Sequence, residues 1–302
     1  MHRGLSLPKS CLTRINKSLN PPCHGRIIQV KTMSINFSCP VCGRVLNEDG
    51  RTLKCENNHC FDMAKQGYVN LLQSQKSSKK RHGDDSLMVK ARQDFLEKGY
   101  YSNLRDAVVN AVADNTQKNA VIADLGCGEC WYTGMVYDTL ENATVFGIDI
   151  SKQALIAGSK RCKALKLAVA STADIPLSDE SCDAVISIFA PYSEAEVLRI
   201  LRRGGVFVKA FPLEEHLIEL KSVIYSKPYK NDVSITFDEG FEKVSLDYVK
   251  SEITLSSNED IMNLFKMTPY YYKTGQADQQ KLESLSSLKT KTEFGVVVLK
   301  KI

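Results

Sequence analysis

The chain has no apolar run approaching the roughly 18 residues of a membrane span, and its longest hydrophobic stretches, such as Ala184 to Ala190, have the length of strands. No membrane-spanning role is expected. Its ten cysteines are too sparse among 302 residues for a disulfide scaffold, and no secretory hydrophobic segment precedes them. This excludes a disulfide-stapled secreted domain and places the chain in a reducing, cytoplasmic setting. Residues 1–32 lack Asp and Glu altogether but hold six Lys or Arg; without them the net charge of +5 becomes −1. Overall basicity therefore argues nothing about nucleic acid. The same stretch lacks hydrophobic periodicity and contains Pro8, Pro21 and Pro22, so a disordered extension is expected, either a transit peptide or sequence ahead of a start at Met33. No internal repeat is present.

With 43% hydrophobic and 25% charged residues, the chain has the composition of a globular protein with one large core and a small satellite. Residues 33–72 form a cysteine-rich block. Residues 73–118 read as a polar linker (QSQKSSKKRHGDDS) followed by bridging helices, with Phe95, Leu96, Tyr100, Leu104 and Val108 near one face. A local basic cluster, Lys76, Lys79, Lys80, Arg81, Lys90 and Arg92 against Asp84 and Asp85, is a candidate to meet phosphates or simply a solvated linker. Across 119–302, strand-like AVIAD, ATVFGID, KLAVA, CDAVISIFA and GVFVKAF alternate with helical segments, the pattern of an α/β parallel sheet; SLDYVKSEITL and EFGVVVLKK predict a sheet of more than five strands.

Cys39-x2-Cys42, twelve intervening residues, then Cys55-x3-His59 supply two pairs of soft ligands at the separation two knuckles need to surround Zn²⁺. Four protein ligands leave no open position for an activated water, so such a site is structural. Cys60, beside His59, offers a competing four-cysteine set.

In VIADLGCGEC an apolar strand runs into Asp124, then Gly126 and Gly128, where missing Cβ atoms let a ligand approach the backbone. A dinucleotide fingerprint requires a third glycine at position 131; Trp131 stands there and argues against NAD. A second strand ends in Asp149, 21 residues after Gly128, suited to ribose hydroxyls, and Ser171-Thr172-Ala173-Asp174 follows the next strand, on the adenine side. Asp124, Gly126, Gly128, Glu129 and Asp149 together look like the S-adenosylmethionine site of class I methyltransferases. The plain alternative is a tight turn at the glycines and a helix cap at Asp149.

CENNHCFDMAKQGYVNLL, KARQDFLEKGYYSNLRDAV, DLGCGE, IFAP and KMTPYYY together resemble the RlmA family of bacterial 23S rRNA (guanine-N1)-methyltransferases, over about Phe37 to Lys300. The resemblance implies a class I methyltransferase Rossmann-like sheet over 119–302 with a small N-terminal zinc-binding module. It implies zinc on Cys39, Cys42, Cys55 and His59, and cofactor contacts from Tyr101, Gly128, Glu129 and His216. Without it, Tyr101 reads as a core residue and His216 as a helix residue with a solvated ring. Two departures stand out: Cys130 replaces a glycine common in the family loop, and Arg203 precedes Gly204-Gly205 where a proline is common.

The implied reaction is methylation of guanine N1 in a hairpin loop, with 23S rRNA or a large-subunit precursor as partner and a second copy of the chain left open. Ala190-Pro191 stands where amino-methylating relatives carry a polar-Pro-Pro-aromatic box, which disfavours exocyclic amines. No residue identifies itself as the proton acceptor; the segment Ile188 to Tyr192 is the place to look. Tyr192 and Phe189 are candidates to stack on a base, with core packing the simpler account of Phe189. Rival readings are a non-catalytic zinc-dependent RNA-binding module and a small-molecule methyltransferase.

Overall fold

The structure is a computed structural model that describes residues 36–73, 83–237 and 239–302. The basic N-terminal stretch and Lys76, Lys79, Lys80 and Arg81 lie outside them.

The central strand β5 (Val121–Leu125) is buried at every residue, as its unbroken apolar run requires when both faces of a parallel sheet are covered. Around it lie β6 (Thr144–Asp149), β7 (Lys166–Val169), β8 (Cys182–Ile188) and β9 (Leu201–Pro212), all parallel to one another. The long antiparallel pair β10 (Phe241–Leu255) and β11 (Leu288–Lys301) extends the β9 side. At the other edge β4 (Tyr68–Asn70), from the cysteine-rich block, pairs parallel with β7. The order is therefore β10-β11-β9-β8-β5-β6-β7-β4, eight strands. Three short strands, β1 (Asn47–Asp49), β2 (Thr52–Lys54) and β3 (Cys60–Asp62), form a separate antiparallel sheet in the front block.

One face of the large sheet is covered by α1 (Ser86–Glu97), α2 (Ser102–Ala113), α3 (Trp131–Thr139) and α4 (Lys152–Arg161), with α6 (Ile218–Ile224), α7 (Asn258–Lys266) and α8 (Gln276–Glu283) toward the β11 side. The starts of these helices are written locally. Ser151 and Ser257 accept from Ala154 N and Asp260 N as N-caps, and α4 closes on Lys160 and Arg161, favourable at a helix C-terminus.

The other face has α5 (Glu194–Ile200) and the front block. Parallel strands are usually joined by a crossover helix, yet the β7–β8 connection, residues 170–181, contains none. The apolar surface is closed instead by Phe37, Leu46 and Leu53, which join one core with Phe146, Ile148, Ile175 and Leu177. Phe37 meets Phe146 edge-on at 5.0 Å, Ser38 N donates to Pro176 O at 2.8 Å, and Leu71 N to Val169 O at 2.9 Å. The cysteine-rich block thus substitutes for a helix layer of the fold.

Candidate metal centre and cofactor site

The two cysteine pairs are built alike. Gly43 N donates to Cys39 O at 2.8 Å and Asn58 N to Cys55 O at 3.0 Å, with Gly43 and Asn58 both at positive φ, so each chain segment doubles back and presents its side chains inward. Cys42 Sγ lies 3.7 Å from Cys55 Sγ, and His59 Nδ1 lies 3.5 Å from Cys39 Sγ and 3.4 Å from Cys55 Sγ. All four ligand atoms fall within 4.8 Å of one another. A tetrahedron with sulfur about 2.3 Å from its centre has edges of about 3.8 Å, so the donor set fits Zn²⁺. The backbone N–H of Arg44 draws the Cys42 thiol down to about 6, favouring the thiolate a metal needs. Cys60 Sγ is exposed and donates to Asn58 O at 3.4 Å, outside the cluster.

At the C-terminal end of β5, Asp124 is 2% exposed. Thr133 Oγ1, on α3, donates to its Oδ2 at 2.5 Å, while Oδ1 has no hydrogen-bond partner among the described residues. Burial pushes this carboxyl up to about 7. Glu129, equally buried, accepts from Arg161 Nε at 3.0 Å, and its Oε1 is likewise unpartnered among the described residues. Burial raises it against the pull of Arg161 and Arg92. Asp149, at the end of β6, accepts from Gly128 N at 2.8 Å and Ser151 N at 2.7 Å. It holds the glycine loop in place, and the N-cap role at α4 falls to Ser151. Burial lifts its carboxyl as well.

Gly126, at φ +74°, is required by a close approach: a Cβ there would lie 2.2 Å from Ala190 Cβ, so the glycine loop and the segment after β8 touch. Cys130 occupies the left-handed region at φ 62°, where glycine is favoured, and is fully buried. Gly158 on α4 makes room for it, since a Cβ at 158 would lie 2.5 Å from Cys130 Sγ. The departure at Cys130 is thus matched by a missing side chain opposite.

Tyr101 and His216, far apart in sequence, meet over this face. Tyr101 Oη lies 3.5 Å from His216 Nε2, and both rings pack on Phe294, at 4.9 and 4.6 Å between centroids. The expectation of a solvated His216 ring is corrected: it is buried beneath α6 against β11, Nδ1 accepts from Glu293 N at 3.2 Å, and burial drives the imidazole down to about 3, so it is neutral. Core packing for Phe189 is corrected too, because the residue is 48% exposed. Tyr192 is the packed one, edge-on to Phe207 at 4.9 Å on the opposite face.

Sequence reasoning missed Arg161 and Gly83 and misread Arg92. Arg92 is ion-paired with Asp84, and its Nη1 would lie 3.7 Å from a Cβ on Gly128, so it faces the glycine loop. Lys90 pairs with Asp94. Gly83, at φ +74°, lies so close to Ile150 and Ser151 that a Cβ would come within 2.9 Å of both, and Ser151 Oγ donates to Asp84 O at 2.6 Å. The entry to α1 therefore lies over the end of β6. The only sequence signal for this was the glycine itself. On the adenine side, Ser171 and Asp174 form a β-bridge and Thr172 Oγ1 donates to Pro191 O at 2.9 Å.

S-adenosylmethionine carries a sulfonium, an ammonium and a ribose diol. Two buried carboxylate oxygens without partners among the described residues, on either side of a glycine loop, fit a cationic ligand. Asp124 and Glu129 would accept from its ammonium, Asp149 from its ribose, and Gly126 and Gly128 would let it lie against the backbone.

Residues 37–80 match the family described as the RlmA N-terminal zinc ribbon, and residues 123–209 match a family described as a methyltransferase domain. YxjB of Bacillus subtilis (strain 168), named provisionally as a 23S rRNA (guanine-N1)-methyltransferase, is 30% identical over 277 residues, covering 87% of this chain and 96% of YxjB. The 23S rRNA (guanine(748)-N1)-methyltransferase of Streptomyces fradiae is 35% identical over 185 residues, covering 60% of this chain and 65% of that protein. A fold whose missing crossover helix is replaced by a ligand-rich front block, a glycine loop flanked by buried carboxylates, and similarity along nearly the whole of one relative lead to one assignment: the chain belongs to the RlmA family of 23S rRNA (guanine-N1)-methyltransferases.

Proposed function

We propose that this protein transfers a methyl group from S-adenosylmethionine to N1 of a guanine in 23S rRNA, in a hairpin loop, acting in the cytoplasm on the rRNA or a large-subunit precursor. The single observation that carries the cofactor half is the pair of unpartnered, buried oxygens, Asp124 Oδ1 and Glu129 Oε1, beside Gly126 and Gly128. The substrate half follows from the relatives' names and from the family to which the chain belongs.

When bound, S-adenosylmethionine would supply a methyl group already activated by its sulfonium, the carbon–sulfur bond being exchanged for an N1–carbon bond and the N1 proton passing to water. The chain's own task is then alignment and exclusion of water, which is catalysis by proximity. On this reading Tyr101 and His216 wall the site; with Nδ1 occupied by Glu293 N, the neutral imidazole turns Nε2 toward Tyr101 Oη, 3.5 Å away. Asp149 organises the loop through Gly128 N, so its loss disturbs the loop and the ribose contact together. Guanine N1 sits on the Watson–Crick edge, so an unpaired or flipped base is required, which a loop provides.

Zinc, held by Cys39, Cys42, Cys55 and His59, has a structural role here, stabilising the block that closes the second face of the sheet. Reverse transcription tests the position. Methylation at N1 removes the pairing edge and stops the polymerase at one guanine of rRNA treated with the protein and S-adenosylmethionine; full-length extension through every guanine would contradict the reading.

A further inference from the structure

The segment after β8 holds an unusual phenylalanine. Phe189 has φ 56°, a left-handed conformation that a bulky side chain rarely adopts, and the residue remains 48% exposed. The strain is imposed from several directions. Phe189 N donates to Ala210 O at 3.2 Å, Ser187 Oγ to Ala190 O at 3.2 Å, and Thr172 Oγ1 to Pro191 O at 2.9 Å, while Ala190 is wedged against Gly126. A strained backbone that buried the ring would be explained by packing, but this one turns an aromatic face outward.

What backs the ring is the aromatic group centred on Phe294. Phe189 lies 5.6 Å from Phe294, which packs on Tyr101 at 4.9 Å and His216 at 4.6 Å. One side of Phe189 therefore rests on a buried aromatic column and the other is open, next to the loop that carries Gly126 and Gly128. Tyr192 is not an equivalent candidate, since its ring packs on Phe207 in the opposite core beneath Lys209, 5.2 Å away.

We propose that Phe189 is the platform on which the target guanine stacks. This rests on the reading of the chain as a guanine methyltransferase. Stacking is indifferent to the Watson–Crick edge, so a purine held by its face leaves N1 free. Once the N1 proton has passed to water, the lone pair left on N1 lies in the ring plane, so fixing the plane fixes the direction of attack. A phenylalanine has no hydrogen-bonding group with which to compete for that edge.

The test uses the full chain with three substitutions. Phe189→Tyr keeps a stacking ring, Phe189→Leu keeps apolar bulk without one, and Phe189→Asn removes both with a residue that tolerates positive φ and so preserves the fold. Calorimetric affinity for S-adenosylmethionine should stay within about twofold of wild type in all three, because the ring touches substrate and not cofactor. With 23S rRNA as the probe, kcat/KM should fall about 10- to 100-fold for Leu and Asn and stay within about threefold for Tyr. Leu matching Tyr would show that only bulk matters, and Asn matching wild type that the ring does nothing; either overturns the proposal, as would loss of cofactor affinity in all three. A wild-type protein that methylates no guanine at all is a separate outcome: it removes the parent reading, and the platform with it.

Discussion

Phe37, in the front block, meets Phe146, at the centre of β6, edge-on at 5.0 Å, and both belong to the same buried cluster. The zinc cluster and the central sheet are therefore one cooperative structure. Trp131, the sole tryptophan, sits beside the glycine loop on the far face and reports on the main sheet. Stripping zinc with a chelator should lower the unfolding midpoint seen by Trp131 fluorescence, and Phe37→Ala should cost about 3 kcal/mol in denaturant titrations read the same way. A Trp131 transition unmoved by chelation would mean that the block is a mere appendage.

The ligand set separates two neighbouring residues. His59 Nδ1 lies in the cluster and Cys60 Sγ outside it. Metal analysis should find one zinc per chain in wild type and in Cys60→Ser, and much less than one in His59→Ala. The reverse pattern would establish the four-cysteine site.

Gly158→Ala is a test of packing against propensity. In an ordinary helix the change stabilises by about 1 kcal/mol. Here the new Cβ would meet Cys130 Sγ at 2.5 Å inside the core, so the variant should lose about 1–3 kcal/mol instead. Pairing it with Cys130→Gly, which removes both the sulfur and the strained φ, should recover more than half of that loss. Urea unfolding of the four proteins measures the coupling; simple additivity would contradict the packing account.

If Asp124 holds the cofactor's ammonium, as proposed, cofactor binding depends on pH. Its folded value is raised from 3.8 to about 7 by burial, with Asp149 nearby adding to the shift and Thr133 opposing it. Its contribution to the stability of the free protein is thus fully present below pH 3.8 and is lost as pH rises through 7. A cationic ligand favours the ionised form, so affinity for S-adenosylmethionine should rise across pH 6 to 7.5, with proton release visible by calorimetry in buffers of different ionisation enthalpy. Asp124→Asn should abolish both the release and that part of the pH dependence.

The succession of strands β5 to β9 along the chain was legible because apolar runs such as VIADL and AVISI have the length and composition of buried strands. So was the glycine turn after β5, where Gly126 and Gly128 both take positive φ. β4 was not. Three residues, Tyr68–Asn70, carry no periodicity, and only the bare edge of β7 makes them a strand. His216 looked solvated because its neighbours Glu214 and Glu215 are polar; burial came from β11, whose residues are 77 positions away at Glu293. Phe189 looked like core because it follows a buried strand, and only the left-handed turn, set by Gly126 and Ala190 together, turns it outward. Arg92 read as one of a row of linker cations until the helix carrying it was seen to lie over the glycine loop.

The central claim is tested most directly by transfer of labelled methyl from S-adenosylmethionine to unmodified large-subunit rRNA, with nucleoside analysis and Asp149→Ala run alongside. The account predicts label in 1-methylguanosine for the wild type and near-complete loss in the variant, whose loop has lost the anchor at Gly128 N. Label in another nucleoside, or none in rRNA and precursor particles despite bound cofactor, would contradict it.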